Sequence, residues 1–307
     1  MDSDDLVEAL PDLLRRSWGL QGSAVIAPIP GGMNSAVAEV RLEQGRYVAK
    51  WVPAHNRRAL DAGARTARRM AEGGLLAGEP LLTLDGSVTA RSGNGAVALL
   101  SWVPGKPLRR VSTDDQVRMA TTLAHAHRIG GSELQSVSFF VWVRPDALGT
   151  SVQPWVKPAV AAARAELDSL PALTWGVLHT DPAPEAFLLD EATGLVGLID
   201  WTGATEGPLL YDVASAVMYL GGQESASTFL RRYAELGPIP TGEIAEHLGT
   251  LQRFRAAVQA VYFAERIASR DLTGIADDAE NWKGLRDARG MFSSLGVTRV
   301  RTLGCQS

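Results

Sequence analysis

The spacing of hydrophobic and polar positions changes character about a third of the way along the chain. Residues 24–29, 36–42 and 46–52 are short apolar runs, separated by Pro30-Gly31-Gly32-Met33-Asn34-Ser35 and by Glu43-Gln44-Gly45. Such runs bounded by turn formers predict three strands joined by tight connections. Ahead of them, Leu6, Leu10, Leu13 and Leu14 share one side of a short amphipathic helix over 5–17, bent at Pro11. A second helix is expected over 59–72, stopped by Gly73-Gly74. Strand-like runs follow at 81–84 and 96–102. Val103-Pro104-Gly105-Lys106-Pro107 then breaks the pattern and marks a boundary between a lobe of residues 1–103 and one of residues 104–307.

Beyond that break the period becomes helical. Thr113 with Gln116 fits a capping box, and Val117, Ala120, Leu123, Ala124 and His127 recur at helical spacing. Residues 139–155 are irregular and aromatic-rich, and helices are expected over 156–170, 208–221, 224–235, 241–270 and 277–292. Between them lie two short apolar runs, 175–178 and 195–199. Each reads as a buried strand leading into an acid, Asp181 and Asp200, so that both acids reach one edge of a small sheet. Strands first and helices later predict an α+β fold: an antiparallel sheet plus helix, a larger and mainly helical second lobe, and a cleft between.

Composition narrows the functional classes. With 307 residues and 46% apolar content the chain can bury a substantial core. A net charge of -4 without a basic stripe argues against nucleic acid as partner. No apolar run is long enough to span a bilayer. The acidic start, Met1 to Asp5, lacks the apolar segment of a signal peptide, and the single cysteine, Cys305, suits a reducing cytoplasm. Four lysines stand against twenty-six arginines, which reads as codon bias.

The chemistry concentrates in His179-Thr180-Asp181 and Ile199-Asp200-Trp201. Two carboxylates so placed suit phosphoryl transfer: one orients the acceptor hydroxyl, the other holds magnesium on the nucleotide phosphates. Lys50 closes the strand Tyr47-Val48-Ala49-Lys50, either facing those phosphates or lying on an exposed edge. Gly31-Gly32 with Asn34-Ser35 is an ordinary hairpin turn or one that offers N–H groups to phosphate oxygens. Neither a P-loop signature nor a nucleophile elbow occurs, which speaks against a P-loop NTPase and against a hydrolase built on His179 and Asp181.

In this order these segments resemble the aminoglycoside phosphotransferase family, the small-molecule branch of the protein-kinase fold that includes choline and macrolide kinases. The resemblance runs over roughly 24–222. It is strongest at Val177-Leu178-His179-Thr180-Asp181, Gly197-Leu198-Ile199-Asp200-Trp201 and Gly207-Pro208-Leu209-Leu210-Tyr211-Asp212-Val213-Ala214. It implies Asp181 as the catalytic acid–base group, His179 as a brace of its loop, Asp200 on Mg2+, and Lys50 on the α- and β-phosphates of ATP or GTP. Gly31, Gly32, Asn34 and Ser35 would cover the phosphates. Ser101, Trp102 and Val103 would be the hinge that reads the purine, with Asp212 and His127 as scaffold.

Two positions depart from the family pattern. Ala186 stands where an asparagine would be a second magnesium ligand, with Glu185 beside it as a substitute oxygen or a plain surface acid. Gly63 stands where a glutamate would pair with Lys50, and Asp61 is the nearest acid. The expected activity is transfer of a γ-phosphoryl group to a hydroxyl of a small molecule, an antibiotic being the first candidate. The rival is a degenerate member that binds a ligand or partner without transfer. Asp271, Asp277, Asp278 and Glu280, interleaved with Arg266, Arg270 and Lys283, are either acceptor-binding acids or a solvated face. Phe139-Phe140-Val141-Trp142 and Trp155 are either a pocket wall or helix packing.

Overall fold

The computed structural model describes residues 3–30, 35–131 and 139–302. Helix α1 (Ser3–Trp18) buries Leu6, Leu10, Leu13, Leu14 and Trp18. Strands β1 (Val25–Ile29), β2 (Ala36–Leu42), β3 (Gly45–Pro53), β4 (Ala90–Ser92) and β5 (Gly95–Ser101) form one antiparallel sheet in the order β1-β2-β3-β5-β4. Alternation divides its faces. Ala36, Ala38, Val40, Ala49, Trp51, Val97 and Leu99 pack with the leucines of α1. The opposite face carries Val37, Lys50 and Ala98 in register, and the neighbouring Val52 and Ala96 pack with Leu60 of α2 (Arg57–Glu72). A one-residue slip would send Lys50 into the α1 core, so the buried alternation fixes where its ammonium emerges.

The run 81–84 forms no strand. Leu81 donates to the Leu99 carbonyl, but Pro80 can offer no ladder N–H, and Thr83, Asp85 and Ser87 close a turn around Gly86. The edge of β5 is taken by β4 instead.

After the short β6 (Lys106–Pro107) come α3 (Thr113–Gly130), α4 (Val156–Asp168), β7 (Trp175–Leu178), β8 (Phe187–Leu189), β9 (Val196–Leu198), β10 (Thr205–Pro208), α5 (Leu210–Tyr219), α6 (Ser227–Leu236), α7 (Thr241–Ser269) and α8 (Ala279–Thr302). Their shared core is centred on Met119, Leu123, Phe187, Tyr211, Phe229, Tyr233 and Phe254. The cap of α3 is Ser112, whose hydroxyl accepts from Asp115 N, and not Thr113. Gln116 reaches Arg110 O and Ser225 O, tying α3 to the start of α6. The two apolar runs that lead into Asp181 and Asp200 do not share a sheet. β7 pairs with β10, while β9 pairs with β8, which pairs with β6.

Helix α2 seats directly on the turn Trp201–Gly203. A Cβ at Gly63 would lie 2.3 Å from the Trp201 carbonyl oxygen and 2.7 Å from Thr202 Cα. Glycine here permits backbone-to-backbone contact, so no glutamate fits. In an open helix Gly63→Ala would stabilise by about 1 kcal/mol. Overpacking reverses that sign here, and the variant is expected to lose about 1–3 kcal/mol. Urea unfolding checks this, and a raised midpoint would mean that helix and turn are not in contact.

Candidate functional site

Both acid-bearing loops are organised by Asp212, which is fully buried. One of its oxygens accepts from His179 N at 2.7 Å and the other from Thr180 N at 2.8 Å. His127 Nε2 lies 3.1 Å from the first, and His127 Nδ1 lies 2.6 Å from Tyr233 Oη. Thr180 has φ 75°, a conformation a β-branched residue keeps only when its surroundings enforce it. The Asp212 bond and the donation of Thr180 Oγ1 to Gly203 O at 3.2 Å supply that enforcement. The turn this creates points Asp181 out of the core.

The second loop is stitched to the first through His179. Its Nε2 donates to the Ile199 carbonyl at 2.8 Å, and its ring meets Trp201 edge-on at 4.8 Å. Asp200 follows in a left-handed conformation, φ 66° and ψ 61°, which aspartate tolerates better than most residues. Its Oδ1 lies 2.5 Å from the buried Lys50 ammonium. Burial works against the charge on Asp200, but the Lys50 ammonium outweighs it and holds the carboxyl below its ordinary range. Asp61 is engaged with Thr89 and Arg57. The partner of Lys50 is therefore Asp200 itself, across the cleft from β3.

Asp181 keeps an open carboxylate, with a side chain 62% exposed. Tyr219 Oη donates to its Oδ1, and Arg255 Nη2 lies 3.3 Å from the same oxygen. Neither residue stood out in the sequence. The one signal is an arginine set inside the otherwise apolar run Phe254–Val258 of α7.

Ala186 is buried, and its carbonyl accepts from Ile199 N at 2.9 Å. Glu185 is exposed on the Pro184–Ala186 turn and makes no hydrogen bond among the described residues, yet its charge is felt at Tyr219, so it lies on the Asp181 side. Among the described residues no group of three or more His, Cys, Asp or Glu is placed to hold a metal ion by itself. The oxygen set nevertheless suits magnesium, which takes one or two carboxylates and completes its shell with phosphates and water.

At the end of β5, Ser101 N donates to Glu79 O and Trp102 N to Arg46 O, and the Arg46 guanidinium stacks on the Trp102 ring at 3.4 Å. Among the described residues the backbone groups of Val103 have no backbone partner. Ser35 lies just ahead of β2, whereas Gly31, Gly32 and Asn34 lie outside the described residues.

The acids near the end of the chain are mostly occupied. Asp271 pairs with Arg266 and holds Thr273 N, Asp277 caps Ala279, and Asp278 accepts from Asn281. Phe139 and Phe140 pack on Tyr211 and Phe254, and Trp155 on Phe292.

A model of the phosphotransferase enzyme family matches residues 25–242. The homoserine kinase of Xanthobacter autotrophicus (strain ATCC BAA-1158 / Py2) is 28% identical over 201 residues, which are 61% of this chain and 61% of that protein. The chain thus spans less than two thirds of the length of this curated relative. An amicoumacin kinase solved with AMP-PNP, Ca2+ and Ami superposes with a TM-score of 0.72 at 12% identity, over 94% of this chain and 93% of that one. A microcompartment-associated aminopropanol kinase gives a TM-score of 0.62 at 15% identity, over 96% of this chain and 99% of that one. These likenesses establish a shared protein-kinase-like fold. With a matched span that holds Lys50, the His179–Asp181 turn, Asp200 and Asp212, the chain belongs to the phosphotransferase enzyme family.

Proposed function

We propose that this chain transfers the γ-phosphoryl group of ATP or GTP to a hydroxyl of a small molecule. The observation that carries this reading is the joint arrangement of Asp181 and Asp200. Two loops tied together through His179 and Asp212 hold one carboxylate open and the other 2.5 Å from Lys50. Nucleotide binding is assigned to residues 1–103 and the acceptor to residues 104–307. Lys50 contacts the phosphates, Val103 offers its backbone to the purine, and the loop from Gly31 to Ser35 covers the phosphates. Asp200 holds magnesium, with Glu185 as the second oxygen near Ala186. Bound there, the ion neutralises phosphate charge.

Asp181 accepts a hydrogen bond from the acceptor hydroxyl. The acceptor oxygen forms its bond to the γ-phosphorus while the bond to the bridging oxygen breaks. The nucleoside diphosphate leaves, and the acceptor proton passes to Asp181. His179 acts on the loop and does not touch substrate.

The acceptor is a molecule of low positive charge. Three of the four terminal acids are occupied as ion pairs, caps and turn contacts, and a buried arginine lies behind Asp181. This disfavours a densely cationic drug and favours a hydroxylated amino acid, an amino alcohol or a weakly charged antibiotic. The named activities of the homoserine and aminopropanol kinases point the same way. The lone cysteine and the absence of a membrane-spanning helix among the described residues accord with a cytoplasmic enzyme. The buried Ala186, with no side-chain oxygen to give, favours the rival reading of a binder without transfer.

Calorimetric titration of ATP and GTP with and without magnesium separates the two. Binding that needs magnesium and weakens at least about tenfold (~1.4 kcal/mol) in Asp200→Asn is expected. Folded protein that binds neither nucleotide would leave the rival. Asp181→Asn, which keeps an oxygen for Tyr219 and Arg255, is expected to lower transfer by roughly 10²–10⁴-fold with the fold intact. Unchanged turnover would remove Asp181 from the mechanism.

A further inference from the structure

Asp181 has one oxygen engaged and one open. Tyr219 Oη and Arg255 Nη2 both converge on Oδ1, and among the described residues nothing bonds Oδ2. The two donors are themselves held. Arg255 is only 8% exposed; its Nε donates to Ser215 Oγ at 3.1 Å, its Nη1 to Gln259 Oε1 at 3.4 Å, and its Nη2 also reaches Tyr219 Oη at 3.3 Å. Ser215 Oγ continues to the Thr180 carbonyl at 3.5 Å. One guanidinium therefore links α7, α5 and the loop that carries Asp181.

Burying an arginine head group is costly unless partners compensate, and an apolar side chain would pack at position 255 without that cost. The other buried arginine of α7, Arg266, has a structural explanation: it holds Asn281, Asp271 and the Thr273 carbonyl, which close the turn into α8. Arg255 closes no turn. Its contacts outside its own helix lie on α5 and on Asp181.

We propose that Arg255 and Tyr219 are positioning residues for phosphoryl transfer, clamping Oδ1 of Asp181 so that Oδ2 alone faces the acceptor hydroxyl. This rests on the phosphotransferase reading and names the groups that orient its acid–base residue. In the transfer step the acceptor proton goes to Oδ2, and neither clamp residue gains or loses one. Burial raises the Tyr219 pKa, and Asp181 and Glu185 add to this against the opposing pull of Arg255, so the phenol stays protonated and donates. Burial works against the charge on Arg255, but Tyr211, Tyr219 and Asp181 outweigh it, and the guanidinium stays charged. Oriented this way, a carboxylate needs no search among rotamers when the acceptor arrives, and misplacement of a reacting group by about 1 Å costs on the order of 10²-fold in rate.

The test uses the full chain, with MgATP as donor and homoserine or water as acceptor. Tyr219→Phe removes one hydroxyl and is expected to lower kcat about tenfold, and Arg255→Met about 10²-fold. MgATP Kd by calorimetry and acceptor KM should both stay within about twofold, and Arg255→Lys should restore part of the rate. In an Asp181→Asn background Tyr219→Phe should cost nothing more, because it acts through that carboxylate. Crystal structures should show a single Asp181 rotamer in the wild type and several in Tyr219→Phe, a readout that needs no acceptor. The same single rotamer in both, wild-type kcat in Tyr219→Phe, or an equal cost in the Asp181→Asn background would overturn the clamp and leave the phosphotransferase reading standing. Wild type that binds no nucleotide would overturn both. If Arg255→Met lowers the thermal midpoint sharply, Tyr219→Phe decides.

Discussion

Everything at the proposed site hangs on one buried carboxylate. Asp212 is inaccessible to solvent and takes the N–H groups of His179 and Thr180 together with the His127 ring. A carboxylate in that setting is tolerable only because each oxygen has a donor. Those donors in turn would be orphaned without it. The arrangement forces Thr180 through a left-handed backbone turn, and that turn decides which way Asp181 leaves the core. Through His179 Nε2 and Ile199 O the same anchor reaches the loop of Asp200. Scaffold and chemistry are thus separate acids on one chain of hydrogen bonds.

Much of this was readable from the chain. The three blocks around Asp181, Asp200 and Asp212 were legible because each combines an apolar run with an acid at a fixed step, and β2, β3 and α7 fall within a residue or so of their expected limits. The failures have physical causes. β4, β8 and β10 have only three or four residues each, too short to show alternation, and β10 reads Thr205-Glu206-Gly207-Pro208, a turn-forming composition that pairs only because β7 lies beside it. Hence the two acid-bearing runs were expected in one sheet, although a histidine and not a ladder joins them. Tyr219 and Arg255 lie 38 and 74 residues from Asp181 in sequence, and α7 is apolar on so much of its circumference that no stripe marks position 255 as special.

The loop after Asp181 shows how a missing side chain need not mean a missing structure. Ala183 N bonds Asp181 O, Ala186 N bonds Ala183 O, and Ile199 N bonds Ala186 O. Pro182 and Pro184, both buried, remove conformational freedom from the same stretch. The loop is held by its backbone, and the alanine at 186 takes part through its N–H and its carbonyl.

The contact of Gly63 with Trp201 has a consequence for control. In a kinase fold whose second helix is held by a lysine–glutamate pair, that helix can swing out and back, and enzymes exploit the swing as a switch. Here the helix rests backbone on backbone against the turn that follows Asp200, and no ion pair remains to be made or broken between α2 and Lys50. A tilt of α2 towards the cleft would therefore press on the Trp201–Gly203 turn that follows Asp200. The contact is a weld between two stretches of main chain, which a change of side-chain charge cannot loosen.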